Sequence, residues 1–289
     1  MLVYGANASR PRKLVLLILF NEFAVNMSAN NQQPLLQVAQ ISDSHLFAEQ
    51  GQLHCGVDVL ANFQRVLFSI AENDEIDCLV FTGDLTQDHS DASYQQFVDA
   101  FAKANITIPC FFLAGNHDEQ ALLNKFLVNK PFKHDKTISK HNWQIQLVNS
   151  KSDTPAGYFA QDEAVRLSKV INQSCHQLVM MHHHPVNVGY FIDRHGLENH
   201  ATFWQCINKH KNIRAIACGH VHGAYYFPAQ NIGEQRSYQS ADVYTCPATS
   251  IQFDPDVNGV SALALGPAFR IFSLFEDGQL ETEVVRLPC

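Results

Sequence analysis

Strand-like and helix-like patterns alternate along most of the chain. Short apolar runs bounded by Gly or polar residues predict strands, and apolar positions recurring every three or four residues predict helices. The predicted strands are 35–41, 77–83, 108–114, 143–148, 177–181 and 213–218, and the predicted helices are 58–72, 94–104, 162–173 and 200–209. Residues 224–286 hold further β-rich runs, and neither an internal repeat nor a clear linker interrupts the chain. This alternation predicts one α/β domain in which helices cover the strands.

Side chains that bind metals follow five of the predicted strands. They are Asp43 with His45, Asp84, Asn116 with His117, the run His182 to His184, and His220 with His222. Taken singly, each has an ordinary explanation: a polar loop, a turn, or a histidine cluster at the surface. Functional residues of α/β sheets collect where strands end, so all five together predict one site.

The residue types in this set indicate the kind of metal. Mixed oxygen and imidazole ligands suit Mn, Fe, Zn or Co better than Ca or Mg, which favour oxygen-only shells. No cysteine lies among the motifs, so a thiolate-bound structural zinc is disfavoured. The buried strand over 77–83 stops at Gly83 and delivers Asp84. A carboxylate has two oxygens, and we therefore expect Asp84 to bind two metal ions at once.

Composition and charge narrow the class of partner. The 289 residues are 46% hydrophobic and 17% charged, which is a globular composition, and the net charge is −8. Without a basic surplus to replace counterions, nucleic acid and anionic membranes are disfavoured as main partners. An anionic small molecule stays compatible if metals supply positive charge locally. The eight cysteines form no Cys-x-x-Cys pair, so we expect unpaired thiols in a reducing compartment, the cytoplasm.

The amino-terminal segment has three interpretations. Arg10, Arg12 and Lys13 precede the apolar run Leu14–Phe20. That run is too short to span a bilayer, which takes about 20 residues, and it is at the lower limit for a signal peptide. Translation could instead begin at Met27, or the segment could be a disordered or docked arm. We expect residues 1–34 to be an extension outside a domain of residues 35–289.

The strand-end motifs resemble those of the calcineurin-like metallophosphoesterases. The longer strings Ile41–Phe47, Gly83–Asp88, His182–Pro185 and Gly219–His222 are similar, within that superfamily, to the bacterial class III cyclic nucleotide phosphodiesterases. The resemblance covers the chain from about residue 35 to the carboxyl terminus. It implies an α/β fold, a four-layer αββα sandwich of the metallo-dependent phosphatase type, with a dinuclear metal site at the carboxyl ends of its strands.

The resemblance also implies a ligand set. One metal would be bound by Asp43, His45, Asp84 and His222. The other would be bound by Asp84, Asn116, His182 and His220. Fe and Mn are the expected metals, with Zn and Co as alternatives. His183 and His184 would lie behind the ligands or at the surface.

The resemblance implies hydrolysis of 3′,5′-cyclic AMP to AMP, and the charges of such a site suggest the mechanism. Two metals about 3.5–4 Å apart hold a bridging water, lower its pKa toward ~7 and neutralise the phosphodiester oxygens. Hydroxide then attacks phosphorus in line with the leaving O3′. His117, next to Asn116 but not a ligand, is the expected proton donor to that oxygen. We expect the substrate to contact His45, Asp84, Asn116, His117 and His222.

One position departs from the family pattern. Many relatives carry Asp four positions after the Gly of Gly-Asp, where it can orient the histidine of Gly-Asn-His. Here that position is Gln87, and Asp88 follows it. Our hypothesis is that Asp88 orients His117 instead.

Other functions remain open at this stage. The same site could hydrolyse 2′,3′-cyclic nucleotides or glycerophosphodiesters, depending on the loop over 186–196 and the carboxyl-terminal strands. A scaffold that binds proteins without catalysis is disfavoured, since all the ligand types and His117 are present. The oligomeric state is not assigned by any motif. Six further histidines are interpreted as surface or core residues: His134, His141, His176, His195, His200 and His210. Of these, His195 and His200 could instead line the mouth of the site.

Overall fold

The structure is a computed structural model that describes residues 32–229 and 239–289. Gln33–Cys289 form one compact unit. The apolar run Leu14–Phe20 and the alternative start at Met27 lie outside the described residues. The division of the chain after residue 34 therefore stays a prediction. No helix within the described ranges has the length and apolar character needed to cross a membrane.

Every predicted strand and helix is present, with ends shifted by at most three residues. The strands are β1 (Leu36–Ile41), β2 (Leu53–His54), β3 (Val57–Asp58), β4 (Cys78–Phe81), β5 (Cys110–Phe112), β6 (Phe132–Lys133), β7 (Thr137–Lys140), β8 (Trp143–Val148), β9 (His176–Met181), β10 (Ile213–Cys218), β11 (Tyr226–Phe227), β12 (Asp242–Thr245), β13 (Ala268–Leu274) and β14 (Leu280–Arg286). The helices are α1 (Val59–Ala71), α2 (Asp91–Lys103), α3 (Gln120–Phe126), α4 (Gln161–Val170) and α5 (His200–Ile207), and Phe191–His195 form a 3-10 helix.

Two six-stranded sheets organise the unit. The first has the order β14-β13-β1-β4-β5-β6, and the second has the order β11-β12-β10-β9-β8-β7. Neighbours from β1 through β4 and β5 to β6 are parallel, as are β12, β10, β9 and β8. Antiparallel strands complete the edges, with β13 and β14 in the first sheet and β7 and β11 in the second. Parallel neighbours place the ligand-bearing ends of β1, β4 and β5 on one edge, and likewise those of β9 and β10.

The central strands are apolar on both faces because each sheet is covered on both sides. In β4, Val80 faces the second sheet, whereas Phe81 packs on α2 through Phe97. In β9, Met180 faces the first sheet, whereas Met181 lies in the cluster that includes α4 and α5. The layers are therefore helices, sheet, sheet, helices. The predicted four-layer αββα sandwich is confirmed.

Local capping signals explain where α1 and α2 begin. Asp58 caps α1 by accepting a hydrogen bond from the amide of Ala61, at 2.9 Å. Ser90 caps α2 in the same way, so that helix begins three residues before the predicted start. In α4, Leu167 is buried, whereas Val165 is exposed. The hairpin of β2 and β3 was not predicted, because two-residue strands carry no periodicity.

Candidate metal centre

The seven predicted ligands come together at one place between the two sheets. They follow the strands as predicted: Asp43 and His45 after β1, Asp84 after β4, Asn116 after β5, His182 after β9, and His220 and His222 after β10. All are buried except Asn116, which is half-buried. Their donor atoms form two groups.

The first group contains donor atoms of Asp43, His45, Asp84 and His222. The Nε2 atoms of His45 and His222 lie 3.1 Å apart. Nε2 of His222 lies 3.4 Å from Oδ1 of Asp43. Nε2 of His45 lies 3.9 Å from the same oxygen and 3.7 Å from Oδ2 of Asp84.

The second group is built around Nε2 of His182. That atom lies 3.3 Å from Oδ2 of Asp84, 3.1 Å from Oδ1 of Asn116 and 3.1 Å from Nδ1 of His220. Asp84 Oδ2 is therefore common to both groups. The other oxygen, Oδ1, accepts a hydrogen bond from the backbone amide of His117, at 2.8 Å. We expected Asp84 to bind two metal ions at once, and the structure places the same oxygen, Oδ2, beside both groups.

These separations fit ligands around metal ions. With metal–ligand distances of about 2.0–2.2 Å, two ligands at a right angle lie about 3 Å apart, and wider angles give up to about 4 Å. Each group supplies nitrogen and oxygen atoms within that span. The residues therefore fit a site for two metal ions, in which each group of donor atoms would hold one ion and both groups share one carboxylate oxygen.

The hydrogen bonds of two imidazoles show why these atoms need a cation. Nδ1 of His182 lies 2.8 Å from the carbonyl oxygen of Thr82, and Nδ1 of His222 lies 2.8 Å from that of Ile251. A carbonyl can only accept, so both Nδ1 atoms carry the proton and both Nε2 atoms present lone pairs. Those lone pairs point toward carboxylate and amide oxygens. Acceptors that face one another in a buried site call for a positive charge between them.

The backbone at the strand ends is bent into an uncommon conformation. Five ligands have positive φ: Asp43 at 57°, His45 at 46°, Asp84 at 58°, His220 at 66° and His222 at 54°. For residues other than glycine, the left-handed region costs roughly 1–2 kcal/mol each. Such strain clusters at functional sites, where the surrounding structure holds it in place.

Glycines let these bent loops approach closely. A Cβ on Gly115 would lie 2.2 Å from Oδ1 of Asp84, and one on Gly219 would lie 2.1 Å from Oγ of Ser42. Gly83 has a φ of 103°, and a Cβ on this residue would lie 2.4 Å from the amide nitrogen of Gly115. The glycines of the sequence motifs are therefore steric requirements of the site.

The buried charges influence one another strongly. Burial favours a raised pKa for Asp43, but His222 outweighs it and holds the pKa of Asp43 below its usual range. In Asp84, His182 overcomes burial in the same way and places its pKa well below the usual range. Burial lowers the pKa of His182, but the Asp84 carboxylate outweighs burial and raises the pKa to about 9. Without a metal, a proton on His182 is the cation that these carboxylates attract.

Two other buried imidazoles of the site, those of His45 and His220, are neutral. Burial places the pKa of His45 and of His220 well below the usual range. Neutral imidazole is the form that binds a metal. The site therefore combines carboxylates held in their charged form with histidines that have free lone pairs.

Asp118 is a residue of the site for which the sequence motifs gave no separate prediction. Its fully buried carboxylate accepts hydrogen bonds from the amides of Asp84, Leu85 and Gly115, at 2.8–2.9 Å. It thereby ties the loop after β4 to the loop after β5. Burial, followed by the nearby Asp84 charge, raises the pKa of Asp118 to about 6. Its place beside Asn116 and His117 in the motif was the available signal.

The predicted contact between Asp88 and His117 is not found, and this corrects our hypothesis. Asp88 Oδ2 accepts from the amide of Ala48, at 2.7 Å, while Oδ1 accepts from the amide and hydroxyl of Ser90. Asp88 therefore fixes the loop after β1 to the start of α2. His117 instead packs edge-on against His45, with ring centroids 4.9 Å apart, and its Nδ1 is buried without a hydrogen bond in the described structure.

The two histidines after His182 are buried and link the site to its surroundings. Nδ1 of His183 lies 2.8 Å from Oγ of Ser150, and its Nε2 lies 3.2 Å from the carbonyl oxygen of Pro155. Nε2 of His184 lies 3.3 Å from Asp193, in the 3-10 helix. Of the two open interpretations, the structure supports a place behind the ligands.

Two other histidines flank the ligands and were not singled out in the sequence. His54 stacks on His45, with centroids 5.8 Å apart and planes at 13°. His89 stacks on His117, at 5.8 Å and 8°. Burial, together with the nearby His222 and His117, lowers the pKa of His54 to about 4. His195 and His200, considered as candidates for the mouth, have no contact with the ligands in the described structure.

Comparison with known proteins identifies the class to which this fold and site belong. The family model of the calcineurin-like phosphoesterases matches residues 36–224. The chain belongs to the calcineurin-like phosphoesterase family, which confirms the resemblance found in the sequence motifs.

Among named relatives, a protein of Colwellia psychrerythraea described as "Probable cyclic nucleotide phosphodiesterase" is 54% identical over 257 residues, covering 89% of this chain and 97% of the relative. The Haemophilus influenzae protein named 3′,5′-cyclic adenosine monophosphate phosphodiesterase CpdA is 34% identical over 264 residues, covering 89% of this chain and 92% of the relative. Both alignments span the elements that carry the ligands.

Solved structures agree on the fold. A dimetal phosphatase from Danio rerio superposes with a TM-score of 0.59 at 12% identity, covering 88% of this chain and 99% of that chain. A purple acid phosphatase from yellow lupin superposes with a TM-score of 0.55 at 14% identity, covering 89% and 55%. At these identities the likeness concerns the fold alone.

Proposed function

We propose that this protein is a metal-dependent phosphodiesterase that hydrolyses 3′,5′-cyclic AMP to AMP and so lowers intracellular cyclic AMP. The observation that carries the proposal is the pair of donor groups that share Oδ2 of Asp84. The names of the relatives supply the substrate class. Free cysteines at all eight positions suit the reducing cytoplasm as its location.

The proposed cofactors are two metal ions, Fe or Mn, held by the two donor groups. Bound there, they would supply Lewis acidity toward the phosphodiester oxygens and make water a nucleophile at neutral pH. The nitrogen-rich donor set favours Mn, Fe, Zn or Co over Mg and Ca. Positive charge at the site also explains how a chain of net charge −8 binds an anion.

We assign His117 the role of proton donor to the leaving O3′. Its ring is half-buried at the edge of the ligand cluster, and its backbone amide is fixed by Asp84 Oδ1. Burial lowers the pKa of His117 in the free protein. A bound phosphodiester anion favours the charged imidazolium, so substrate binding itself would load the proton that is later transferred.

The remaining residues hold the substrate and the site in place. Asn116 and His117 are the half-buried members of the cluster, so we propose that the phosphodiester enters on their side and contacts His45, Asp84 and His222 beneath. Lys151 donates a hydrogen bond from Nζ to the carbonyl oxygen of Asn116, at 3.0 Å. Its charge adds to the attraction for an anion at this entrance.

The test is hydrolysis of cyclic AMP by protein reconstituted with Fe²⁺ or Mn²⁺, with Asp84→Ala and Asp91→Ala alongside. Asp91 is an exposed residue paired with Lys125 and serves as the matched control. We expect AMP as the product, a loss of more than about 100-fold in Asp84→Ala, and wild-type rates in Asp91→Ala. Even outer-shell partners of metals are worth about 10–100-fold, so a shared ligand is worth more.

Two results would change the proposal. If cyclic AMP survives while bis-(p-nitrophenyl) phosphate is cleaved, the chemistry stands and the substrate does not. Assays with 2′,3′-cyclic nucleotides and glycerophosphodiesters then identify the replacement. If no phosphodiester is cleaved after metal loading, a binding scaffold becomes the better interpretation.

A further inference from the structure

His54 lies against the metal centre without belonging to it. Its ring is nearly parallel to that of His45, and a second aromatic ring, that of Phe47, lies 6.2 Å from it at 47°. One face of the imidazole is therefore covered by His45. In the described structure neither ring nitrogen of His54 has a hydrogen-bond partner, and its side chain is half-buried.

The hairpin that carries His54 is well anchored. His54 pairs with Val57, so the loop consists of Cys55 and Gly56, with φ of 47° and 80°. Two successive positive φ values are typical of the tight hairpin turn that follows strand twist. The hairpin then leads directly into Asp58, the cap of α1. The imidazole is thus presented by a short, defined element.

The loop that carries Phe47 is held just as firmly. Nε2 of Gln96 donates to the carbonyl oxygens of Phe47 and Ala48, at 2.8 and 2.7 Å. Asp88 accepts from the amide of Ala48. Helix α2 and its preceding loop therefore fix Phe47 next to His54, and Asp88, although it does not contact His117, stabilises this side of the site.

The arrangement places an aromatic surface at the mouth of the ligand cluster. Asn116, His117 and His54 are half-buried, whereas the ligands behind them are almost completely buried. A substrate whose phosphate reaches the ligands must leave its remaining groups on this exposed side. The half-buried ring of His54 leaves part of its surface accessible to such a group.

We propose that His54 is a specificity-determining residue that stacks on the purine base of the bound nucleotide. The inference rests on the proposed function, because it takes the ligand to be a nucleotide. Bases stack on aromatic side chains irrespective of hydrogen-bond readout, since every base has a π-face. The rings of His45 and Phe47 beside the His54 imidazole restrict its movement, which reduces the conformational entropy lost when a base binds.

His89 is a weaker candidate for the same role. It also stacks on a residue of the site, but it is exposed and lies between Asp88 and Ser90. Within the described residues no phenyl ring lies beside His89, whereas Phe47 lies beside His54. A purine base would bury more apolar surface against the rings of His54 and Phe47 than against His89.

A second place for a base is the open groove that contains Lys151, which donates a hydrogen bond to the carbonyl oxygen of Asn116. It has a volume of about 460 Å³ and is lined by residues that include Lys151 and Tyr158. Tyr158 is exposed and could also stack on a base. The experiment therefore includes both aromatic residues.

The test compares two ligands that share a phosphate and a ribose but differ in the base. Binding of AMP and of ribose 5-phosphate to the Mn²⁺-loaded protein is measured by titration calorimetry. In wild type we expect AMP to bind about tenfold more tightly, within the range of stacking on one aromatic ring. In His54→Ala that ratio falls to about one through weaker AMP binding, while ribose 5-phosphate is unaffected. In His54→Phe, which keeps the π-face, the ratio returns.

Leu53→Ala is the matched control, because it alters the same hairpin at an exposed position on the opposite face. We expect it to leave the ratio unchanged. An equal loss in Leu53→Ala, or a loss in Tyr158→Ala with none in His54→Ala, overturns the proposal.

Hydrolysis of cyclic AMP, measured separately, distinguishes this inference from the proposed function. If wild type hydrolyses cyclic AMP but His54→Ala keeps the full ratio, only the stacking inference fails. If wild type neither hydrolyses cyclic AMP nor prefers AMP to ribose 5-phosphate, the nucleotide assignment itself fails.

Discussion

The decisive feature at the scale of single residues is that the lone pairs of imidazole nitrogens face those of carboxylate oxygens. His182 and His222 each give a ring proton to a backbone carbonyl and turn the other nitrogen toward Asp84 or Asp43. In water such groups would be solvated, but here they are buried and need a cation. Either a metal or a proton can provide it, so the two compete for His182.

This competition predicts how the stability of the metal-free protein depends on pH. The pKa of His182 is raised from 6.5 to about 9 in the folded chain. The folded state therefore binds more protons between these values, and its free energy of unfolding decreases as pH rises from about 6.5 to 9. Below pH 6.5 the contribution of His182 is fully present. We expect wild type after chelation to lose stability across this window relative to His182→Gln, in urea titrations at several pH values.

The comparison with His182→Gln matters because Lys136 acts in the opposite direction. Burial lowers the pKa of Lys136 to about 8, so its contribution to stability increases with pH above that value. Both proteins share that effect, and the difference between them isolates His182. The same difference should vanish when metal is bound, because the metal then replaces the proton. Parallel pH curves for the two metal-free proteins would contradict the prediction.

Residue identity was predictable where it is tied to strand ends, and less so where it depends on local geometry. The metal-binding side chains could be recognised by their place after apolar runs, whereas the choice of His182 among its neighbours came from the resemblance to the family. The left-handed backbone at His220 or Asp43 has no sequence signature apart from nearby glycines. Asp118 and Asp88 show the same contrast: both are carboxylates near the motifs, but only folding decides which amides each accepts from.

At the scale of elements, the backbones of the loops after β4 and β5 approach each other very closely. Gly83 and Gly115 meet there, and the amide of Gly115 also reaches Asp118. Both strands could be predicted from their apolar runs, because most of their consecutive residues are buried. The two-residue strands β2 and β3 were invisible to that reasoning, since a hairpin this short is specified by its turn and by contacts with α1.

This close approach predicts that Gly115→Ala reduces activity and metal binding more than it reduces the stability of the fold. A Cβ there would lie 2.2 Å from Oδ1 of Asp84 and 2.5 Å from its amide nitrogen, so the Asp84 loop must move. A misplacement of about 1 Å near reacting groups can cost about 100-fold in rate. We expect a loss of that size in phosphodiester hydrolysis, together with weaker metal binding by calorimetry.

Gly259→Ala is the control for this prediction. Gly259 has φ 153° with open space around its Cβ position, so alanine there costs stability through backbone strain without touching the ligands. We expect a loss of roughly 1–3 kcal/mol in unfolding free energy with normal activity. Equal activity losses in both variants would show that destabilisation, rather than displacement of Asp84, is responsible.

At the scale of the whole molecule, the metal centre joins the two sheets. Asp43, Asp84 and Asn116 follow strands of the first sheet, whereas His182 and His220 follow strands of the second. The sequence predicted the strands and the ligands, but not which strands share a sheet. That information lies in the packing of faces such as those of Val80 and Met180, which no local pattern records.

This bridge predicts that metal removal loosens the packing between the sheets and lowers the melting temperature. A ligand present at 100 times its dissociation constant stabilises the folded state by about 2.7 kcal/mol, which corresponds to roughly 5–10 °C for a domain of this size. We expect that shift when Mn²⁺ is added back to chelated protein, followed by calorimetry or near-ultraviolet circular dichroism. In Asp84→Ala the shift should be small, because both donor groups lose their shared oxygen, while Asp91→Ala should keep it. A full shift in Asp84→Ala would mean that the metal stabilises the protein elsewhere, and the two sheets would then not depend on this carboxylate for their connection.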